Sequence, residues 1–292
     1  MPPDPSQAKI NLVPVQDALL AASSAIRDEV QRLFEAHADP DAPATTTLRQ
    51  LFWYLSSRTQ AVTFLVSWDY PWDAEIILRS FYETGAKIIF ICRAAPDQVA
   101  ALIDEYWDAL GSAGDIRRTR KAEFAEGLFK DKADSARIFS TLRKPAASRT
   151  TSRTYSKAER KAIAQKWSFS EIIESLDQDF PGAKSLLHGY GLASHLLHAD
   201  PGALELMMDR ALREPSELVL LRATHVCRIF SDLAWLNYWC AASLKKHLNG
   251  KFQDGARLKA LLEELEKRSK PIQERFARSQ DEFYQKQSDV GC

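Results

Sequence analysis

Apolar residues recur along this chain at the spacing of an α-helix and almost nowhere in strict alternation. Between Val15 and His37, the side chains of Leu19, Leu20, Ile26, Val30, Leu33 and Phe34 gather on one side of a helix of about 3.6 residues per turn. Behind Thr47 the pattern continues through Leu51, Phe52, Leu55, Val62, Leu65 and Val66, ending near Asp69-Tyr70-Pro71. It returns from about Asp73 to Arg93. Such a period builds an apolar stripe on a helix and would scatter the same residues over both faces of a strand. With 11 Gly and 13 Pro in 292 residues, the chain also lacks the turn residues that many short strands require. The expected class is all-α: a multi-helix bundle with a basic, partly flexible insertion and a C-terminal helical hairpin.

The interruptions set the organisation. Asp39-Pro40-Asp41-Ala42-Pro43 ends the first helix, and Pro96 opens a fourth through Leu102, Ile103, Tyr106 and Trp107. Proline suits a first helical turn because its missing N–H has no partner there. From Arg137 to Lys166 nine Lys and Arg face a single acid, Glu159, and residues 143–154 carry almost no large apolar side chain. Burial there cannot offset the entropy of ordering, so a mobile basic loop is expected over about 137–160. Helical spacing resumes near Ser156 and over Phe169–Asp179, and Pro181 opens a helix rich in histidine. Asp200-Pro201 reads as an N-cap with a first-turn proline. The longest helix runs from about Ser216 to Leu248 and stops at Asn249-Gly250. Two charged helices, Asp254–Arg268 and Pro271–Lys286, close the chain as the hairpin. The domain plan is a flexible tail over 1–10, one helical domain over 11–250 and the hairpin over 251–292.

Composition excludes several classes. Hydrophobic residues are 45% and charged residues 27%, with zero formal net charge, so no global field recruits nucleic acid or an anionic surface. No apolar run approaches the ~18 residues that span a bilayer, so no membrane association is expected. Met1-Pro2-Pro3-Asp4-Pro5 has neither the basic nor the apolar region of a signal peptide. Cys92, Cys227 and Cys240 sit in apolar helical runs, and with Cys292 they form no C-x-x-C pair. This predicts a reducing, cytoplasmic compartment. No phosphate-binding or dinucleotide glycine pattern occurs, and no cofactor is expected.

Two polar signatures interrupt this apolar background. On the third helix Glu75, Arg79, Glu83 and Lys87 follow at four-residue steps, among Ile76, Ile77, Leu78, Phe81 and Ile88 to Ile91. Such a row makes either a solvated ladder of weak ion pairs or, on a central helix, a partly buried Arg–Glu pair that orients a third group. On the histidine helix, Tyr190, Ser194, His198, His195 and His188 share an arc of roughly 160° at ~100° per residue. A hydrogen-bonded structural cluster, a ligand site and a catalytic site all fit that arc. His195-x-x-His198 has a workable metal spacing, yet the Glu-x-x-His pairs of di-iron bundles and H-E-x-x-H are missing, so no metal site is expected. Ser194 lies on no G-x-S-x-G elbow. On the longest helix Arg222 and His225 share a face, and Trp235, Tyr238 and Trp239 form an aromatic group suited to a core or an interface.

The pair of signatures, R-S-x-x-E-T followed by Y-x-x-x-S-x-x-x-H, resembles an uncharacterised all-helical bacterial family, a domain of unknown function. The resemblance covers about Asp73 to His247 and singles out Arg79, Glu83, Tyr190, Ser194 and His198. A more distant resemblance, at fold level, is to the HEPN superfamily of helical bundles, which includes dimeric RNases of toxin and phage-defence systems. Those nucleases place an Arg, a polar residue and a His close together on one helix. Arg222-Ala223-Thr224-His225 is too tightly spaced to copy that pattern. The expected function is a cytoplasmic interaction or ligand-binding protein, a component of a bacterial stress or phage-defence system, with a polar pocket between the two signature helices. In it Tyr190, Ser194 and His195 would contact ligand. The alternative is a metal-independent RNase with His198 as acid or base, Arg79 as phosphate stabiliser and Glu83 holding Arg79. The expected partners are a protein or a second copy, with RNA reached through the basic segment 137–166.

Overall fold

A computed structural model describes residues 10–129, 137–138, 155–176, 180 and 182–290, the side chains of 112–118 and 281–290 excepted. The described residues are helical almost throughout. The helices are α1 (Val13–His37), α2 (Pro43–Ser67), α3 (Pro71–Arg93), α4 (Pro96–Asp104), α5 (Gly111–Leu128), α6 (Lys157–Lys166), α7 (Phe169–Leu176), α8 (Ser185–His198), α9 (Pro201–Ala211), α10 (Pro215–His247) and α11 (Gly255–Val290). No helix among the described residues is long and apolar enough to cross a membrane. Residues 1–9 of the expected tail over 1–10, and most of the basic insertion, 139–154, lie outside the described residues.

The chain divides into two compact units, residues 1–93 with 173–292, and residues 94–172. In the smaller unit α4 passes through a π-helical stretch, Glu105–Leu110, directly into α5. Glu105 there accepts from Trp167 Nε1 at 3.1 Å and pairs with Lys166 at 2.7 Å. Tyr106 packs on Trp167 with ring centres 5.6 Å apart. Ser156 and Glu159 close a reciprocal capping box at the start of α6.

In the larger unit α10 is the central helix, packed against α1, α2, α3 and α11. Cys227, Ile229, Phe230, Leu233, Ala234, Leu236, Cys240, Ala241 and Leu244 are all fully buried on it. A helix apolar on nearly every side has to be enclosed by others. Cys92, Cys227 and Cys240 are buried free thiols, and burial pushes the Cys227 thiol up to about 11. Close contact between α3 and α10 depends on Gly85, where an added Cβ would lie 2.7 Å from both Leu236 Cγ and Cδ2. Gly85→Ala is therefore expected to destabilise by about 1–3 kcal/mol from overpacking, less the ~1 kcal/mol that alanine gains in helix propensity. Urea denaturation measures the balance, and a stabilised variant would show that the two helices can separate at little cost.

Three boundaries differ from expectation. The second helix begins at Pro43, in the first-turn place proline favours, and Thr47 Oγ1 donates back to the Pro43 carbonyl at 2.8 Å. The histidine helix begins at Ser185 because Gly182, at φ +88°, turns the chain left-handed just before it. The hairpin at Pro271 is overturned: α11 is one continuous helix with Pro271 inside it. A proline costs an interior helix about 3 kcal/mol, but Arg268-Ser269-Lys270 offers no Gly or Asn at which to reverse, and Ser269 is buried. Leu258, Leu262, Leu265 and Ser269 meanwhile bury a continuous stripe on the side facing α1 and α10. Glu29 of α1 anchors the start of that stripe by accepting from the backbone N–H groups of Gln253 at 3.0 Å and Asp254 at 2.9 Å.

Candidate functional site

Helices α3 and α8 pack side by side, and each carries a polar row at four-residue steps. The rows meet at Arg79. Its Nε donates to Glu83 Oε1 at 3.2 Å, and its Nη1 donates to Ser194 Oγ at 3.0 Å and to His198 Nε2 at 3.1 Å. Tyr190 OH donates to the same Glu83 oxygen at 3.0 Å, and the guanidinium carbon lies 5.3 Å from the centre of the Tyr190 ring. Arg79, Glu83, Tyr190, Ser194 and His198 thus form one cluster, 115 residues of chain separating Arg79 from Ser194.

The chemistry of the cluster follows from its donors. A guanidinium can only donate, so His198 Nε2 accepts, and in the neutral ring the proton sits on Nδ1. Glu83 fixes the rotation of the guanidinium. Burial, then the charge of Glu83, raises the Tyr190 pKa and keeps it a phenol, with Arg79 opposing. The Arg79 and Glu83 side chains are 23% and 35% exposed, so the cluster opens to solvent. None of these three Arg79 bonds uses Nη2, and Ser194, which accepts from Arg79, keeps its own hydroxyl proton to donate.

Other expected members go elsewhere. His195 pairs with Asp200 at 2.7 Å, and Asp200 also accepts from Ala203 N at 3.2 Å as the N-cap of α9. That bond to His195 holds the Asp200 carboxyl below its usual range. The two histidines thus face different partners, His198 the arginine and His195 the turn. Arg222 and His225 share a face of α10 without sharing a site: Arg222 reaches Asp69, whereas His225 is buried against Trp72. No group of three or more His, Cys, Asp or Glu side chains is placed to hold a metal among the described residues.

A second network, not foreseen as a site, lies one turn back along α3. Glu75 is fully buried and pairs with Arg228 of α10. Arg228 Nη1 also donates to Asp232 Oδ2 at 2.6 Å and to Tyr82 OH at 3.2 Å, and Tyr82 OH donates to Asp232 Oδ2 at 2.5 Å. Helix α8 closes over this group through Gly189, where a Cβ would collide with Tyr82 OH and come within 2.7 Å of Arg228 Nη1. Beside it, His225 stacks on Trp72 at 3.9 Å, and Arg210 covers Trp72 at 3.6 Å. His225 Nε2 lies 3.0 Å from Glu75 Oε1, outside hydrogen-bonding alignment. Burial, then the charge of Arg210, pushes the His225 pKa down to about 3, so the ring is neutral. Burial raises the Asp232 carboxyl against the opposing pull of Arg228 and Tyr82. The signal was in the sequence: His225, Arg228 and Asp232 fall on one side of α10, three and then four residues apart, on a helix otherwise apolar there.

The two networks differ in what they can do. The buried one pairs Glu75, Arg228, Asp232 and Tyr82 with one another and ties α3 to α10. The open one leaves donors unspent. Residues 46–214, more than half of the chain and the span carrying Arg79, Glu83, Tyr190, Ser194 and His198, match the family described as Family of unknown function (DUF5677). No curated protein and no solved structure matches the chain.

Proposed function

We propose that this chain, which belongs to the family of unknown function DUF5677, is a ligand-binding helical module that takes an anionic group, a phosphate or a carboxylate, at Arg79. The observation carrying this reading is the half-used guanidinium. Glu83, Ser194 and His198 fix its plane through Nε and Nη1, and none of these three bonds uses Nη2. A planar fork held in this way is suited to a carboxylate or phosphate edge, and the Ser194 hydroxyl adds a further donor. In calorimetric titration the wild type is expected to bind inorganic phosphate, acetate or a nucleoside monophosphate. Loss of charge-assisted bonds in Arg79→Ala should weaken that affinity by roughly tenfold or more, with Arg79→Lys in between. Equal affinity in wild type and Arg79→Ala would remove the site.

One observation favours a second reading, metal-independent RNA cleavage: the phosphate stabiliser and the acid–base candidate lie 3.1 Å apart. It ranks second because the Nε2 lone pair of His198 already accepts from Arg79, so the ring takes up a proton there only after that bond is released. RNA cleavage in EDTA, lost in both Arg79→Ala and His198→Ala with folding intact, would establish it. Inert protein in every buffer would leave the binding reading alone. A cytoplasmic location, a protein partner or second copy, and RNA contact through 137–166 belong to the same proposal. Of that basic segment, residues 137–138 and 155–166 are described.

A further inference from the structure

A cleft of about 560 Å³ opens beside α10, away from the Arg79 cluster, and the proposed anion site does not use it. Its walls carry four aromatic rings, Phe180, Trp235, Tyr238 and Trp239, and two carboxylates, Asp232 and Glu266. No Lys, Arg or His lines it among the described residues. The rings form one connected group. Trp235 and Trp239 lie 6.1 Å apart, Phe180 tilts against Trp239 at 5.7 Å, and Tyr238 meets Trp235 edge-on at 5.9 Å.

Each carboxylate is held by one oxygen. Asp232 Oδ2 accepts from Tyr82 and Arg228, and Glu266 Oε1 accepts from Trp235 Nε1 at 2.9 Å. Asp232 Oδ1 and Glu266 Oε2 make no hydrogen bond among the described residues. The Asp232 side chain is still 14% exposed while lining the cleft. Two pre-oriented acceptors among indole and phenol faces attract a positive charge twice, through the carboxylates and through the negative faces of the rings. A neutral donor would gain only hydrogen bonds to the carboxylates, and an anion would gain neither.

We propose that this cleft binds a small alkylammonium ion, its N–H groups on Asp232 Oδ1 and Glu266 Oε2 and its carbon chain against Trp235 and Trp239. The ammonium carries donors, which the two free acceptors require, and its methylenes match the apolar remainder of the cleft.

The test is calorimetric titration of the full chain with butylammonium and with 1-pentanol, an uncharged alcohol one methylene longer. Wild type is compared with Trp235→Leu, Trp235→Phe and Glu266→Gln, each checked for native circular dichroism. Asp232 is left intact because it also belongs to the buried network. Saturable butylammonium binding is expected, with 1-pentanol, which carries no charge, weaker by roughly tenfold or more. Trp235→Leu and Glu266→Gln should each weaken the ammonium several-fold, whereas Trp235→Phe, which keeps a ring, should lose less than Trp235→Leu. No butylammonium binding at millimolar concentration, equal affinity for the alcohol, or unchanged affinity in Trp235→Leu would each overturn the assignment.

Discussion

Arg228→Met is expected to lower the unfolding free energy by about 3–5 kcal/mol, the cost of breaking a buried ion pair from one side. Arg228 is the shared cation of Glu75 and Asp232. Glu75 is fully buried, with one oxygen already lacking a hydrogen bond. Methionine fills much of the volume but leaves two carboxylates facing each other without a counter-charge. The exposed comparison is Arg268→Ala, which also removes a hydrogen bond from Arg268 Nη1 to the Pro14 carbonyl at 3.0 Å. Arg268 also pairs with a carboxylate four residues earlier, Glu264, at 2.6 Å, but the two side chains are 39% and 40% exposed. Solvent screens such an exposed pair, so a much smaller loss is expected there. Urea denaturation of both variants gives the contrast, and similar losses in the two would mean that the α3–α10 network is not what ties those helices together.

His225→Gln is expected to flatten the acid limb of the stability curve. The native ring titrates at about 3 because burial and the charge of Arg210 disfavour its cation, whereas an unfolded histidine titrates near ~6.5. Between those values the unfolded state binds the extra proton, so stability rises with pH there and falls on acidification. The loss runs at up to ~1.4 kcal/mol per pH unit, reaching roughly 4–5 kcal/mol by pH 3. The charged groups around the ring are Glu75 of α3, Arg210 of α9, and Arg228 and Asp232 of α10, with His188 of α8 adding repulsion. Asp232 works in the opposite direction, since a carboxyl raised by burial favours the fold as it protonates. The net slope is therefore shallower than a full proton. The difference between wild type and His225→Gln, measured by urea denaturation from pH 7 to 4, isolates the histidine. Parallel curves would contradict a neutral buried His225.

Most of the fold was legible because helical period is a local property. The spacing that marks Leu258, Leu262 and Leu265 as one stripe depends on nothing distant. Pro271 was misread because a proline signals the end of a helix only when packing does not outweigh it, and the half-burial of Ile272 and Phe276 beyond it is a tertiary fact. The Arg79 cluster was legible for a similar reason. Two rows at four-residue steps, each polar on an apolar helix, need partners, and each supplied what the other lacked. Glu75 was the harder case. It stands in the same row as Arg79 and Glu83, and only the arrival of α10 distinguishes a buried tie from a half-open pair. Nothing local could separate His195 from His198 either, because the turn into α9 turns one toward Asp200.

The central claim is that Arg79 presents an anion site, and side-chain NMR reads it at the atom. In a ¹H–¹⁵N spectrum of the arginine Nε–Hε groups, the Arg79 resonance is the one lost in Arg79→Lys. Titration with methyl phosphate should shift that resonance saturably. Arg213, held by Asp209, and Arg268, held by Glu264, should stay in place. An Arg79 resonance that does not move, or that drifts no more than the surface arginines, would contradict the account.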